Sequence, residues 1–306
     1  MPTKVRTSAI EDTRVGIVFG VIAAFIWSGF PVLTKLGIEQ TLTPYDITAL
    51  RFSVAGILLL PLFWRRGLGG VSLQGAIVLA CGAGAPYIIL AAGGLSFAPA
   101  GHFGVIGPSC MLLFSALGSW IWLGDKPGSI RLLGMTIIVV GLLVLGWDGL
   151  SNHGPKTWIG DLMFVAAGFL WASYTVASRF WSVDPRHAIA IVSTLSLAIY
   201  LPPYMMMAGS EIFRAPVTEV VIQAVFQGLL SAILALLLYT RAVAILGAAR
   251  GAVFGALVPG FALLFVFLIL REIPTHLQLI GVVLVTSGMV FALELYRPGK
   301  LDAEHT

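Results

Sequence analysis

Charge is what this chain has least of. Of 306 residues, 18 are Lys or Arg and 14 are Asp or Glu, about 10% together, where soluble domains carry about 25%. That scarcity excludes a soluble globular domain. Cysteine is nearly missing too: Cys81 and Cys110 both lie in apolar runs, so neither a disulfide framework nor a metal site is indicated, and no cofactor is expected. The net charge of +4 is small and needs no nucleic-acid partner.

What is present is hydrophobic sequence in long pieces. No Asp, Glu, Lys or Arg occurs in 15–34, 52–64, 67–124, 132–147, 162–178, 188–210, 220–240, 251–270 or 273–293. A membrane span needs roughly 20 apolar residues, so 67–124 holds two and the others about one each. These runs do not alternate as barrel strands would, and in lipid only a helix bonds all its backbone within one segment. The first run extends through about Ile38, too long for a signal-peptide core, and is read as a permanent span. Helices are expected near 15–38, 45–64, 72–95, 99–123, 129–147, 158–181, 187–208, 217–244, 250–270 and 275–296.

Basic residues test that count. With the N-terminus in the cytoplasm, Lys35, Arg51, Lys156, Arg214 and Arg271 fall outside. The remaining 13 of the 18, Arg297 and Lys300 among them, fall inside. Ten spans with both termini cytoplasmic follow from the positive-inside rule.

The chain also repeats itself. Trp171 lies 144 residues after Trp27, and the same offset relates Phe25 to Phe169, Val32 to Val176 and Lys35 to Arg179. At an offset of 147, Asp125 matches Glu272, Pro127 matches Pro274, Gly134 matches Gly281 and Gly141 matches Gly288. Five spans per copy force the second copy to enter from the opposite side, the mark of a secondary transporter with its site between the repeats. The expectation is an all-α polytopic membrane protein of ten transmembrane helices, in two inverted five-helix repeats at 15–147 and 158–296, with short cytoplasmic tails at 1–14 and 297–306.

The Trp27 and Trp171 segments, Arg51-Phe52, the Gly-Asp (124–125) and Arg-Glu (271–272) pairs, the spaced glycines of the fifth and tenth helices and the stretch 246–250 together resemble the drug/metabolite transporter superfamily, in its EamA-type branch. The likeness covers about 15–296. It implies a central cavity walled by helices 1, 3, 4, 6, 8 and 9, and it favours export. Pro259 lies thirteen residues before Glu272, as that family has it; Leu112 takes the matching place before Asp125, with Pro108 one turn earlier.

Candidate substrate-binding residues are the polar and aromatic groups inside spans, which are costly unless they face protein or water. Trp27 and Trp171 sit deep in their spans, away from the interface that indoles prefer; Phe30 and Tyr174 follow one turn later. Ser28, Tyr87, Ser173 and Tyr239 are further candidates. Helix packing alone accounts equally for several of them. Arg51 lies about 10 Å into its helix. It either snorkels or pairs with Asp46, or it faces an aqueous vestibule and attracts a carboxylate. His102 is read as the one mid-span ionisable group, with no acid near it in sequence. No carboxylate is placed mid-span, so proton coupling is unsupported. Pro108 and Pro259 are candidate gates, because prolines free carbonyls and bend helices.

These residues suit a carrier for a small amphipathic organic solute, an amino acid or related metabolite, working by alternating access in a lipid bilayer. It is expected in a bacterial inner membrane as a monomer or homodimer. A polytopic enzyme acting on a lipid-linked substrate would need a cluster of His, Asp, Glu or Cys near one interface, and none is visible in the sequence. A selective channel is the third class.

Overall fold

The computed structural model describes residues 2–207 and 211–294, with side chains for 13–207, 212–247 and 250–294. The chain is helical, with no strand among the described residues. Ten helical units follow one another: α1 (Pro2–Gln40), α2 (Pro44–Arg66), α3 in two segments (Leu73–Ala83 and Ala85–Gly94), α4 (Ala100–Leu123), α5 (Ser129–Asn152), α6 (Thr157–Phe180), α7 (Pro185–Met207), α8 (Val217–Leu246), α9 (Ala248–Phe265, continued by Val266–Leu270) and α10 (His276–Ala292). Nine are long and apolar enough to cross a bilayer, and α10 is a shorter apolar helix. Arg297 and Lys300 lie outside the described residues.

Local chemistry sets the boundaries. Thr43 and Thr275 open α2 and α10 with capping boxes closed by Asp46 and Gln278, which satisfy donors that lipid cannot. Gly124 ends α4 with a left-handed φ of 74°, the conformation glycine tolerates best.

Two spans are not regular α-helices through their interior: the third, whose Gly82, Gly84 and Pro86 mark a bend in the sequence, and the eighth. The third span breaks at Gly84, because Pro86 cannot donate in the ladder; the freed Ala85 N–H donates instead to Ser196 Oγ at 3.2 Å. In the eighth span, Ala224–Leu234 winds as a π-helix, a form concentrated at functional sites. Pro108 and Pro259, by contrast, lie inside continuous helices.

The packing is two-fold. The principal contacts are α5 with α10, α4 with α6, α2 with α7, and α1 with both α8 and α9; α3 packs on α6. Exchanging each helix of the first five with its counterpart in the second returns the same set. α5–α10 and α2–α7 map onto themselves, α1–α9 maps onto α6–α4, and α1–α8 onto α6–α3.

The α5–α10 crossing shows why the glycines repeat. A Cβ on Gly141 would meet Gly281 O at 3.1 Å, and one on Gly288 would meet Gly134 O at 2.8 Å. The four glycines let the two backbones touch. Around the bundle, apolar side chains such as Ile57, Leu143, Ile199 and Val283 are exposed, as contact with lipid requires. Six of the eight tryptophans (Trp64, Trp120, Trp122, Trp147, Trp158 and Trp181) lie near helix ends, where interfacial indoles belong. The protein is an integral membrane protein.

Replacing Gly288 with Val puts a Cβ 2.7 Å from Ile138 Cγ1 and is expected to destabilise the fold by about 1–3 kcal/mol through overpacking. Gly146→Ala, where a Cβ meets nothing within 4 Å, is expected to leave stability unchanged. Thermal unfolding in detergent compares the two, and equal melting temperatures would refute the tight crossing.

Candidate functional site: a central cavity, a distal vestibule and a buried histidine cluster

The end of the bundle where α1 terminates is termed distal, and the opposite end proximal. Between them lies a small cavity lined by Trp27, Arg51, Phe52, Trp171, Tyr174, Ser193 and Ser231, with Ala83, Ile189, Val192, Ala232 and Leu236. Its volume is about 30 Å³, room for roughly one water. The two-fold carries over to its aromatic walls. Trp27 packs on Tyr239 of α8 with ring centroids 5.3 Å apart, and Trp171 packs on Tyr87 of α3 at 5.0 Å. These are equivalent helix pairs, tilted by 54° and 53°.

Arg51 breaks the symmetry. Its guanidinium is buried, 7% exposed. One Nη1 donates to Gln227 O and Ser231 Oγ, both at 3.2 Å, on the π-helical turn of α8. Nε is buried without an acceptor. Arg51 neither snorkels nor pairs with Asp46: that carboxylate accepts from Thr43 at 2.7 Å and from the Tyr204 hydroxyl. Among the described residues no carboxylate lies within ion-pair distance of Arg51. A cation this deep is costly without an anionic partner, and the cavity beside it is the free space.

The two ends differ. At the proximal end Arg179 Nη2 meets Asp125 Oδ2 at 3.1 Å, and Nη1 donates to Ser119 Oγ. The repeat-equivalent residues at the distal end are Lys35 and Glu272. These form no ion pair; Lys35 donates to Leu95 O at 2.7 Å and sits 3.5 Å from Glu39. Lys35, Glu39 and Glu272 instead line a vestibule of about 510 Å³, with Ser96, His153, Lys156 and Gln278. Burial pushes the Glu272 carboxyl above its usual range, and the Lys35 ammonium partly opposes the shift.

Next to the vestibule is a polar cluster that the sequence did not disclose. His102 is not mid-span: it is the third residue of α4, fully buried at the distal end. Its Nδ1 is 2.8 Å from Asp161 Oδ1 on α6, and its Nε2 is 3.6 Å from Asp148 Oδ2 on α5. His153 Nε2 lies 3.1 Å from the same oxygen. Acids 46 and 59 residues away in sequence therefore surround the histidine that reads as isolated. The expectation that no cluster of His and Asp forms near one interface is corrected here; folding brings together three helix ends that the sequence keeps apart.

The candidates therefore separate into groups. Trp27, Arg51, Trp171 and Tyr174 line the central cavity, with Tyr87 and Tyr239 stacked directly behind the indoles. Ser28 is buried against α9, donating to Ala24 O and Val258 O. Phe30 packs on Phe103 in the core. Ser173 bonds its own helix at Phe169 O and lies away from the cavity. The walls come from α1, α3, α6 and α8, as the resemblance implied, with α2 and α7 in place of α4 and α9. α4 and α9 are closed against each other, Gly104 directly on Ala262. Ser193, Ser231 and Asp148 were missed. The serines sit in apolar runs without a marking neighbour, and Asp148 lies next to Trp147 at a helix end, where a carboxylate reads as a surface group.

The EamA-like transporter family matches residues 14–147 and again 158–293. An uncharacterized transporter from Archaeoglobus fulgidus is 27% identical over 282 residues, covering 88% of this chain and 93% of that protein. A protein solved by crystallography, 20% identical, superposes with a TM-score of 0.62 over 90% of this chain and 96% of its own; that likeness speaks for the fold. With the family matching twice, once over each half of a helical bundle whose contacts obey a two-fold, the chain belongs to the EamA-like transporter family and is a membrane transporter.

Proposed function

We propose that this transporter exports a small amphipathic organic solute carrying a carboxylate, an amino acid or related metabolite, by alternating access. The observation that carries the reading is Arg51, buried beside the central cavity with a spare Nε and, among the described residues, no carboxylate within ion-pair distance. Trp27 and Trp171 supply apolar faces on either side of it, and Ser193 and Ser231 supply hydroxyls. A pocket with apolar walls and a few convergent polar groups is the usual form of a small-molecule site.

Alternating access is supported by the ends of the bundle. Equivalent basic–acidic pairs stand at both: Arg179 and Asp125 are joined, while Lys35 and Glu272 are apart across the vestibule. An inverted repeat converts one state into the other by exchanging the conformations of its halves. In the alternate state Lys35 and Glu272 close and Arg179 and Asp125 separate. The Arg179–Asp125 pair is half exposed, so its strength is modest, about 0–1 kcal/mol, which suits a contact broken on every cycle. Pro108 and Pro259 lie where α4 and α9 would bend, and the break at Gly84 is a third hinge point.

Side chains at the proximal end include Arg14, Arg65, Arg66, Lys126, Arg131, Arg179, Arg186, Arg241 and Arg250, against Lys35, Lys156, Arg214 and Arg271 at the distal end. That excess supports a cytoplasmic proximal end, hence both termini inside a bacterial inner membrane. The histidine cluster meets one requirement of an enzyme on lipid-linked substrates, but His102 is fully buried and the cluster opens through His153 to a polar vestibule, which disfavours a lipid substrate.

Arg51→Gln in proteoliposomes is expected to raise KM for a carboxylated solute by roughly 10–100-fold, the value of a charged hydrogen bond, and to leave its amide nearly untouched; equal changes would reject the carboxylate role. Trp27→Ala and Trp171→Ala are each expected to depress counterflow while the purified protein elutes unchanged in size-exclusion chromatography. Full counterflow with both replaced would remove the cavity from the mechanism. Arg179→Ala is expected to shift the population toward the distal-closed state by a few-fold. The readout is slower labelling of a Ser96→Cys reporter by a membrane-impermeant thiol reagent, and unchanged or faster labelling would argue against the paired gates.

A further inference from the structure

We infer that the buried cluster at the distal end is a binding site for one divalent transition-metal ion of the zinc type, held by His102 Nε2, Asp148 Oδ2 and His153 Nε2. The three atoms lie within 4.8 Å of one another. Asp148 Oδ2 is 3.6 Å from the first nitrogen and 3.1 Å from the second. Ligands on a tetrahedral zinc ion with bonds of about 2.0–2.1 Å stand about 3.3 Å apart, so both separations bracket the edge of that tetrahedron.

The hydrogen bonds around the cluster aim lone pairs into its centre. His102 Nδ1 donates to Asp161 Oδ1 at 2.8 Å, which leaves Nε2 as the lone-pair nitrogen, fully buried and without a hydrogen-bond partner. The Gln278 amide is oriented by its capping box: Oε1 accepts from the Thr275 N–H. Its Nε2 therefore points at His153 Nε2, 2.9 Å away, and an ion bound at His153 takes the place of that hydrogen bond. Asp148 Oδ1 is occupied by Thr275 Oγ1 at 2.6 Å and Asn152 Nδ2 at 2.8 Å, leaving Oδ2 to face inward. The free His102 Nε2 and Asp148 Oδ2 thus converge beside His153 Nε2, an arrangement that suits a cation.

The surroundings agree. Among the described residues neither the buried Asp148 nor the partly exposed Asp161 has a Lys or Arg within 4.0 Å, so neither carboxylate is neutralised by a basic side chain. Asp161 on His102 is the carboxylate–histidine arrangement that holds metal-bound imidazoles in place. Gly149 lets α5 approach: a Cβ there would stand 3.1 Å from His102 Cε1 and 2.9 Å from Asp161 Oδ2. His153 and Gln278 line the vestibule, which gives an ion its entry path and leaves a fourth position for water. His102 and Asp148 lie on α4 and α5 and His153 directly follows α5, while Asp161, Thr275 and Gln278 belong to the second repeat. A bound ion therefore ties the distal ends of the two halves together.

Isothermal titration of the full-length, detergent-solubilised protein with ZnCl₂, after stripping with EDTA, tests the site without any transport assay. One ion per chain is expected, with Co²⁺ giving the visible absorption of a tetrahedral N/O site. His102→Ala and His153→Ala are expected to weaken binding by more than roughly tenfold, and Asp161→Asn by roughly 10–100-fold. His276→Ala, outside the cluster, is expected to bind as the parent does. Unchanged elution and melting of each variant in EDTA separates lost binding from lost folding. Absence of stoichiometric binding would overturn the inference, as would equal binding by the His102→Ala protein, which would assign the ion to a surface or tail site. A melting temperature that depends on pH through His102 but not on zinc would identify a proton site instead, and the metal assignment would fall.

Discussion

In hydrocarbon a polar group has no water to fall back on, so each one must find a partner inside the protein. Most of this fold answers that demand, and among the exceptions Arg51 Nε and His102 Nε2 mark its candidate sites. The backbone meets it by being helical throughout the described spans. Where the ladder is interrupted, a side chain from another helix takes over, as Ser196 does for Ala85 at the break in α3. Polar side chains meet it by turning inward. Gln223 donates to Leu33 O at 2.5 Å and Gln227 to Thr34 Oγ1 at 2.9 Å, both tying α8 to α1.

Duplication then decides where those inward groups gather. Because the halves are inverted, each helix of one meets a fixed partner of the other, and equivalent residues face each other across the axis. Trp27 and Trp171 are repeat-equivalent and each packs on a tyrosine of an equivalent helix, Tyr239 on α8 and Tyr87 on α3, although the two tyrosines stand at different positions along those helices. Functional asymmetry is laid over this frame. Arg51 has no counterpart, since position 195 of the second copy is Leu. The gate pairs are equivalent in sequence yet closed at one end and open at the other. The distal end alone carries the histidine cluster.

How much of this was readable in advance depends on range. The helical spans were legible because charge-free runs are a local property. So was the inversion, since five spans per copy leaves no other orientation, and so were Trp27, Arg51 and Trp171, each a residue type misplaced for its depth. The break at Gly84 was legible as well, since Pro86 marks it locally, whereas the π-turn of α8 has no proline or other local signal in its sequence. His102 was read in the wrong place and in the wrong company. Its acids come from the last turn of α5 and the first turns of α6, where a carboxylate ordinarily meets water.

The amino-acid order by itself determined that this chain is a ten-helix membrane protein built of two opposed copies, because transfer of charge and bare backbone into lipid is costly at every position and needs no knowledge of neighbours. Only the tertiary structure decided which polar groups meet: Arg51 with the π-turn of α8 and no acid, Arg179 with Asp125, and His102 with Asp148 and Asp161. Those choices turn on ångström-scale approach between helices distant in sequence, set by glycine contacts and helix crossings, and no local pattern encodes them.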